Sequence, residues 1–232
     1  MEQSRHFFAN QADALSQQTT LICAPEVYTA TVVDVIQAHP DRNRGSALEI
    51  GPGSGTLLKA LSPHFQQVTG LDNAQEMLNN TASAVSDLNN ITLLQGDFIE
   101  LPNTHRYDLI VAAMVVHHLP SPPNFFSQAA ALLAPGGLLV VAELCDHDQD
   151  WVKDSCGDVW LGFDPEALTQ WGAQAGLSQT QQQFLAQRNG FRVQVSAFIA
   201  EPQPMVLANK HSNEISNKPS NTTQLRKIND RL

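Results

Sequence analysis

The chain has 232 residues, 42% of them hydrophobic, which is enough for one sizeable core, and a formal net charge of −10 from 23 acidic and 13 basic side chains. All of the acid excess lies before residue 201, the remainder carrying two more basic than acidic side chains, so nucleic acid is a poor partner for the folded part. No run approaches the ~18 continuous apolar residues of a membrane span, the N-terminus has no signal-peptide pattern, and Cys23, Cys145 and Cys156 lack paired spacing; the expectation is a cytoplasmic protein with reduced thiols, no membrane partner and no zinc motif.

Residues 4–38 read as helical N-terminal elements packed on the binding edge of a sheet, "PEVYTATVVDVIQAH" being the more regular helix. From Ala47 onward, short apolar runs alternate with helical patterns, the signature of a parallel sheet with helices on its faces. "ALEIG", "QVTGLD", "ITLLQGD", "YDLIVAAM" and "GGLLVVAEL" are the five runs, each of buried-strand length. Helices are expected over 56–61, 74–88 and 122–133, the last with Ser121 as N-cap, Pro122 in its first turn and "APGG" as its stop. A further helix starts at Asp164-Pro165 and ends before Gly176. In "TQQQFLAQRNGFRVQVSAFIA", Asn189-Gly190 sits between two extended runs and favours a type I′ hairpin turn, so a mostly parallel sheet should end in an antiparallel hairpin. The polar residues 202–232 form an expected flexible tail, leaving a domain over 1–201 with helical elements in 1–44.

The stretch "ALEIGPGSG" places Gly51, Gly53 and Gly55 at a strand end, where the backbone can turn tightly and approach a ligand. Asp72 ends the second strand, where a carboxylate can accept from ribose hydroxyls, so the pair of features favours a ribonucleoside. Charge separates the candidates. A dinucleotide sets a pyrophosphate over such a turn, whereas S-adenosyl-L-methionine carries a cationic sulfonium and ammonium. Unit charges about 4 Å apart interact by roughly 4 kcal/mol at an effective dielectric of 20. Glu49 and Asp72, with Lys59 the nearby cation in sequence, favour the cationic ligand, and the spacing is GxGxG rather than the GxGxxG of dinucleotide sites.

In this order, "LEIGPGSG", "VTGLDNAQEML", "LLQGDFIELP", "YDLIVAAMVVHHLP" and "LLAPGGLLVVAEL" resemble the motifs of class I S-adenosylmethionine-dependent methyltransferases over roughly residues 45–200. The resemblance implies a three-layer, doubly wound, Rossmann-like seven-stranded α/β sheet, mostly parallel with a terminal antiparallel hairpin. It also implies S-adenosyl-L-methionine as cofactor. On that basis Gly51, Gly53 and Gly55 shape the loop around the methionine part and Glu49 reaches its ammonium. Asp72 holds the ribose with Asn73 beside it, Asp97 accepts from the adenine amino group, Phe98 offers its backbone amide, and Ala113 ends the fourth strand at the site. Met77 either lies against adenine or is a core residue of an amphipathic helix.

Methyl transfer is an in-line displacement, which positioning in a water-poor pocket accelerates; a general base is needed only where the acceptor must lose a proton. His117 and His118 follow the fourth strand, His117 as a substrate contact and His118 as a candidate proton acceptor, although "HHLP" also recurs in the family. The acid-rich segment 143–168 resembles the corresponding stretch of methyltransferase domains fused to ArsR-type repressors. It adds His147 as a second catalytic candidate, with Trp151 and Trp160 as substrate-side residues or core packing. Asp146, His147 and Asp148 are adjacent in sequence and read as a solvated loop rather than a metal site. The expected function is methyl transfer to a small-molecule acceptor; the alternatives are a non-catalytic cofactor-binding domain and an NAD-dependent oxidoreductase.

Overall fold

Short β-branched and leucine-rich runs that alternate between two apolar faces can only be buried inside a sheet covered on both sides. The computed structural model, which describes residues 22–187 and 190–200, has that architecture. In chain order it contains α1 (Pro25–Gln37), β1 (Ser46–Ile50), α2 (Thr56–Leu61), β2 (Gln67–Asp72), α3 (Gln75–Ala84), β3 (Ile91–Gln95) and β4 (Tyr107–Ala113). There follow α4 (Pro122–Leu132), β5 (Leu133–Leu144), α5 (Trp151–Cys156), α6 (Pro165–Gln174), β6 (Leu177–Ala186) and β7 (Arg192–Ala200). Single 3-10 turns cover Ser62–His64, Phe98–Glu100 and Val116–His118.

The sheet has seven strands in the order β3-β2-β1-β4-β5-β7-β6. All neighbours are parallel except β7, which runs antiparallel to both β5 and β6, so the expected α/β fold and its terminal hairpin are both present. Residue alternation along β4 shows how the layers fill. Leu109, Val111 and Ala113 join the core beneath α1 and α2, while Ile110 and Ala112 join the opposite core with Phe125, Phe126 and Leu168 of α4 and α6. The chain winds outward from β1 to β3 and then returns to lay β4 on the other side of β1. Between the C-terminal ends of β1 and β4 this reversal leaves the crevice in which open α/β sheets take ligands.

The caps follow the sequence closely. Asp164 accepts from Glu166 N–H at 2.7 Å ahead of Pro165, and Gly176 takes the left-handed conformation (φ 77°) past the end of α6. Ser121 is the N-cap of α4 by position, with no side-chain capping bond. Three boundaries differ from expectation. Helix α3 stops at Ala84 rather than Leu88, because the polar run that follows bends away so that Asn90 donates to the carbonyls of Ser62 and Phe65, 2.9 Å each. "APGG" does not separate α4 from β5 but lies inside β5. Tyr107 pairs with Leu133 and Leu109 with Leu138, and the irregularity between them absorbs the extra residues, with Gly136 at φ 75°. Helix α5 has no counterpart in the sequence reading. Asn189 and residues 202–232 lie outside the described residues, as does most of the N-terminal helical region before Ile22. No helix among the described residues is long and apolar enough to cross a membrane.

The β1–α2 loop touches the turn after β4 directly. Gly51 sits at φ 64°, and a Cβ there would stand 2.6 Å from Val115 Cγ2. Gly51→Ala should therefore lower unfolding free energy by about 1–3 kcal/mol in denaturant titrations, from backbone strain and overlap together. Adding Val115→Ala should recover part of that loss, because it removes the overlap and leaves the positive φ.

Candidate functional site

The crevice holds a cavity of about 390 Å³. Its floor is the β1–α2 loop, where Gly51 donates to Leu71 O at 2.8 Å and all three glycines have positive φ. Thr81 of α3, fully buried, donates its hydroxyl to Gly53 O at 2.7 Å and so locks the loop from behind. Gly51 and Gly53 line the cavity. Gly55 does not; it is the N-cap of α2, packed so that a Cβ would lie 3.1 Å from Val85 Cγ1.

Glu49 points from β1 into this floor. It is 3% exposed, and its Oε2 is buried without a hydrogen-bond partner in the protein. Burial pushes its carboxyl well above the usual range. Asp72 closes β2 with Oδ1 accepting from Ala74 N–H at 2.9 Å. Burial nonetheless raises its pKa to about 6, against the lowering effect of the Ala74 and Asn73 amides. Asn73, Met77, Asp97, Phe98 and Ala113 also line the cavity. Asp97 Oδ1 accepts from Ile99 N–H at 3.0 Å, capping the 3-10 turn, while the Phe98 ring is buried 5.3 Å from Phe125.

At the opposite end the chain leaves β4 through Met114, a non-glycine residue in the left-handed region (φ 58°). What holds that turn is Glu143 of β5, fully buried. Its Oε1 accepts from Val115 N–H at 2.9 Å and Val116 N–H at 2.6 Å, and its Oε2 lies 2.6 Å from His117 Nδ1. His117 in turn fixes the next segment, its carbonyl accepting from Val159 N–H (3.0 Å) and Trp160 N–H (3.1 Å). Asp158 is thereby set against both histidines, 3.6 Å from His117 Nε2 and 3.6 Å from His118 Nδ1. Burial opposes a charge on His117, but the attraction and hydrogen bond of Glu143, aided by Asp158, leave its pKa above the ordinary value. His118 moves the other way. Burial and then the neighbouring His117 hold it well below the ordinary value, against a contact with Gly157 O, so its imidazole is neutral at physiological pH.

His117 and His118 line the cavity, as do Asp158 and Tyr28, which the sequence reading did not single out. The Tyr28 phenol comes from α1, and burial followed by the Glu49 charge raises its pKa. Trp151, Trp160 and His147 are not among the lining residues. Trp151 is 44% exposed, with Nε1 donating to Gln149 Oε1 at 3.0 Å. Trp160 donates its indole N–H to Leu119 O at 2.9 Å and lies 6.1 Å from the Phe163 ring. His147 rests edge-on against Phe191, with Nδ1 accepting from Gln149 N–H. Asp146 and Asp148 are exposed beside it.

A sequence model described as a methyltransferase domain matches residues 19–194. An uncharacterized methyltransferase of Alkaliphilus oremlandii is 27% identical over 131 residues, 56% of this chain and 59% of that protein. A ubiquinone biosynthesis O-methyltransferase of Coxiella burnetii is 26% identical over 145 residues, 56% of this chain and 62% of that protein. The chain thus spans less than two thirds of either relative. The N-methyltransferase NodS from Bradyrhizobium japonicum, solved with S-adenosyl-L-homocysteine, superposes with a TM-score of 0.56 at 21% identity, covering 67% of this chain and 77% of NodS. With its sheet order, its terminal hairpin and the family match over most of its length, the chain belongs to the methyltransferase domain family of class I fold, whose methyl donor is S-adenosyl-L-methionine.

Proposed function

We propose that this protein is a cytoplasmic enzyme that transfers the methyl group of S-adenosyl-L-methionine in line to a small-molecule acceptor. The observation that carries the reading is the buried, unpartnered Glu49 Oε2 in the wall beside the glycine loop. An isolated buried carboxylate costs several kcal/mol, and an ammonium group relieves that cost where a pyrophosphate would increase it. Glu49 would take the ammonium and the Gly51–Gly53 backbone the methionine chain. Asp72 and Asn73 would take the ribose, Asp97 the adenine amino group, and Met77 and Phe98 the adenine surroundings. When bound, the cofactor supplies a methyl group activated on a sulfonium.

At the acceptor end the chain contributes enclosure and polarity. Tyr28, Met114 and Leu119 supply bulk that displaces water, while burial and the neighbouring His117 hold His118 neutral. The acidic surface supports a small acceptor over a nucleic acid.

Calorimetry should detect S-adenosyl-L-methionine and S-adenosyl-L-homocysteine but not NADH; tighter NADH binding would reject the cofactor assignment. Burial raises the Glu49 carboxyl, and a bound ammonium would favour its charged form, so binding should shift its proton occupancy; titrations in two buffers of different ionisation enthalpy measure that exchange. Glu49→Gln should remove it and weaken both ligands by about 1.5–3 kcal/mol. Isotope from a labelled cofactor methyl should pass into an acceptor in a metabolite extract, and binding without any transfer would leave a non-catalytic binding domain.

The raised pKa of Asp72 has a stability consequence of defined sign. A carboxyl whose folded pKa exceeds its unfolded value of ~3.9 stabilises the fold below pH ~4, and that contribution is lost as pH rises through about 6. Melting curves of the ligand-free protein across that window should show a decline that Asp72→Asn flattens.

A further inference from the structure

We propose that His117 Nε2, His118 Nδ1 and Asp158 Oδ1 form a binding site for a divalent transition-metal ion at the acceptor end of the cavity. The three donor atoms lie within 4.8 Å of one another, and all three residues line the cavity. They come from two separate elements, the Val116–His118 turn and the segment following α5, which the His117 carbonyl binds together.

The protonation pattern leaves a cation-shaped gap. Glu143 Oε1 is occupied by two backbone N–H groups, so the carboxylate acts as an acceptor throughout and takes the Nδ1–H of His117 on Oε2. The Nε2 lone pair of His117 then faces Asp158 Oδ1 at 3.6 Å, too far for a hydrogen bond. That oxygen has no hydrogen-bond partner in the protein, although the Asp158 side chain is only 2% exposed. A second proton on His117 would make an ion pair with Asp158 beyond hydrogen-bond reach and would leave the equal gap to His118 unbridged. An ion about 2.0–2.1 Å from each donor in tetrahedral geometry separates its ligands by roughly 3.4 Å, close to both Asp158 distances. His118 closes the third pair by rotating its ring. In doing so it gives up the 3.3 Å contact of Nδ1 with Gly157 O and carries its proton on Nε2.

The rest of the arrangement suits a metal. Glu143 behind His117 is the carboxylate that orients a ligating imidazole and raises its basicity. Two imidazoles and one carboxylate select zinc, cobalt or iron over magnesium or calcium. Three protein ligands leave a position open toward the cavity, as in catalytic rather than structural sites. On the function proposed above, that position takes a hydroxyl oxygen of the acceptor, a phenol, enol or hydroxy acid, and the ion lowers its pKa so that the proton leaves to solvent before methylation. Metal binding itself does not depend on that reading.

The purified chain, stripped with chelator, is titrated with Co²⁺ and with Zn²⁺ in the absence of cofactor. The expected result is one equivalent bound, with the intense visible bands of four- or five-coordinate cobalt, displaced by zinc. Asp158→Asn and His118→Gln should each weaken binding at least 100-fold, while His105→Gln, at an exposed position, changes nothing. Melting curves check that each variant is folded; if Asp158→Asn unfolds, His118→Gln decides alone. Cobalt that keeps the pale spectrum of the hydrated ion, or binding unchanged in folded His118→Gln, would overturn the site. S-adenosyl-L-methionine titrated in parallel separates the two readings, since failure there with metal binding intact removes the methyltransferase reading only.

Discussion

The site depends on one buried carboxylate. Glu143, enclosed between β4 and β7, accepts from Val115, Val116 and His117 at once, and those three donors belong to the only described residues that follow a non-glycine left-handed turn. A positive φ at Met114 costs of order 1–3 kcal/mol and persists only where surrounding bonds over-determine it. Two amide bonds to an ionised group, each worth about 1.5–3 kcal/mol, are of the size needed. From that anchored turn the geometry spreads in both directions. Val115 packs against Gly51 and so sets the width of the cofactor loop, while the His117 carbonyl holds the 158–160 segment.

The cavity is consequently lined by acids that the protein itself does not fully partner. Glu49 and Asp158 each bury an oxygen without a hydrogen bond, and Asp72 is shifted by burial despite two amides. Such groups lower the stability of the fold and are relieved by a proton or by positive charge beside them. They stand at two ends of one crevice, Glu49 and Asp72 on β1 and β2 beside the glycine loop and Asp158 on the segment after α5 beside the two histidines.

The glycine-loop end of the crevice was legible in the sequence because its determinants are local. A glycine loop follows a strand, a carboxylate ends the next strand, and each is recognisable within ten residues. The caps of α6 were legible for the same reason: Asp164, Pro165 and Gly176 act through their own backbone. The end beside the histidines was not. Glu143 lies 26 residues from His117 in sequence and nothing at position 143 signals that its side chain turns inward to three donors. Asp158 sits among acids of similar appearance, and only the bonds from Val159 and Trp160 to the His117 carbonyl distinguish it from exposed Asp146 and Asp148. Size and aromaticity suggested a pocket wall for the tryptophans; Trp160 is engaged through its indole N–H with Leu119 O, a long-range bond that sequence does not announce. Within the fold, the "APGG" stretch was read as a break because glycine and proline usually are, whereas a bulge against Tyr107 keeps it in the sheet.

The reversed strand β7 constrains how the polypeptide reaches this structure during synthesis. Seven residues of β5 pair with it, from Leu138 to Leu144, and β6 has no other neighbour in the sheet. Until Arg192–Ala200 leaves the ribosome, β5 therefore presents an apolar, unsatisfied edge, and Glu143 lacks the strand that encloses it. The β1–β2 end of the crevice can form at that stage while the β5 end is still open. Emerging chains thus pass through an interval in which the exposed β5 edge is open to other strands, and release of β7 closes both the sheet and the pocket of Glu143.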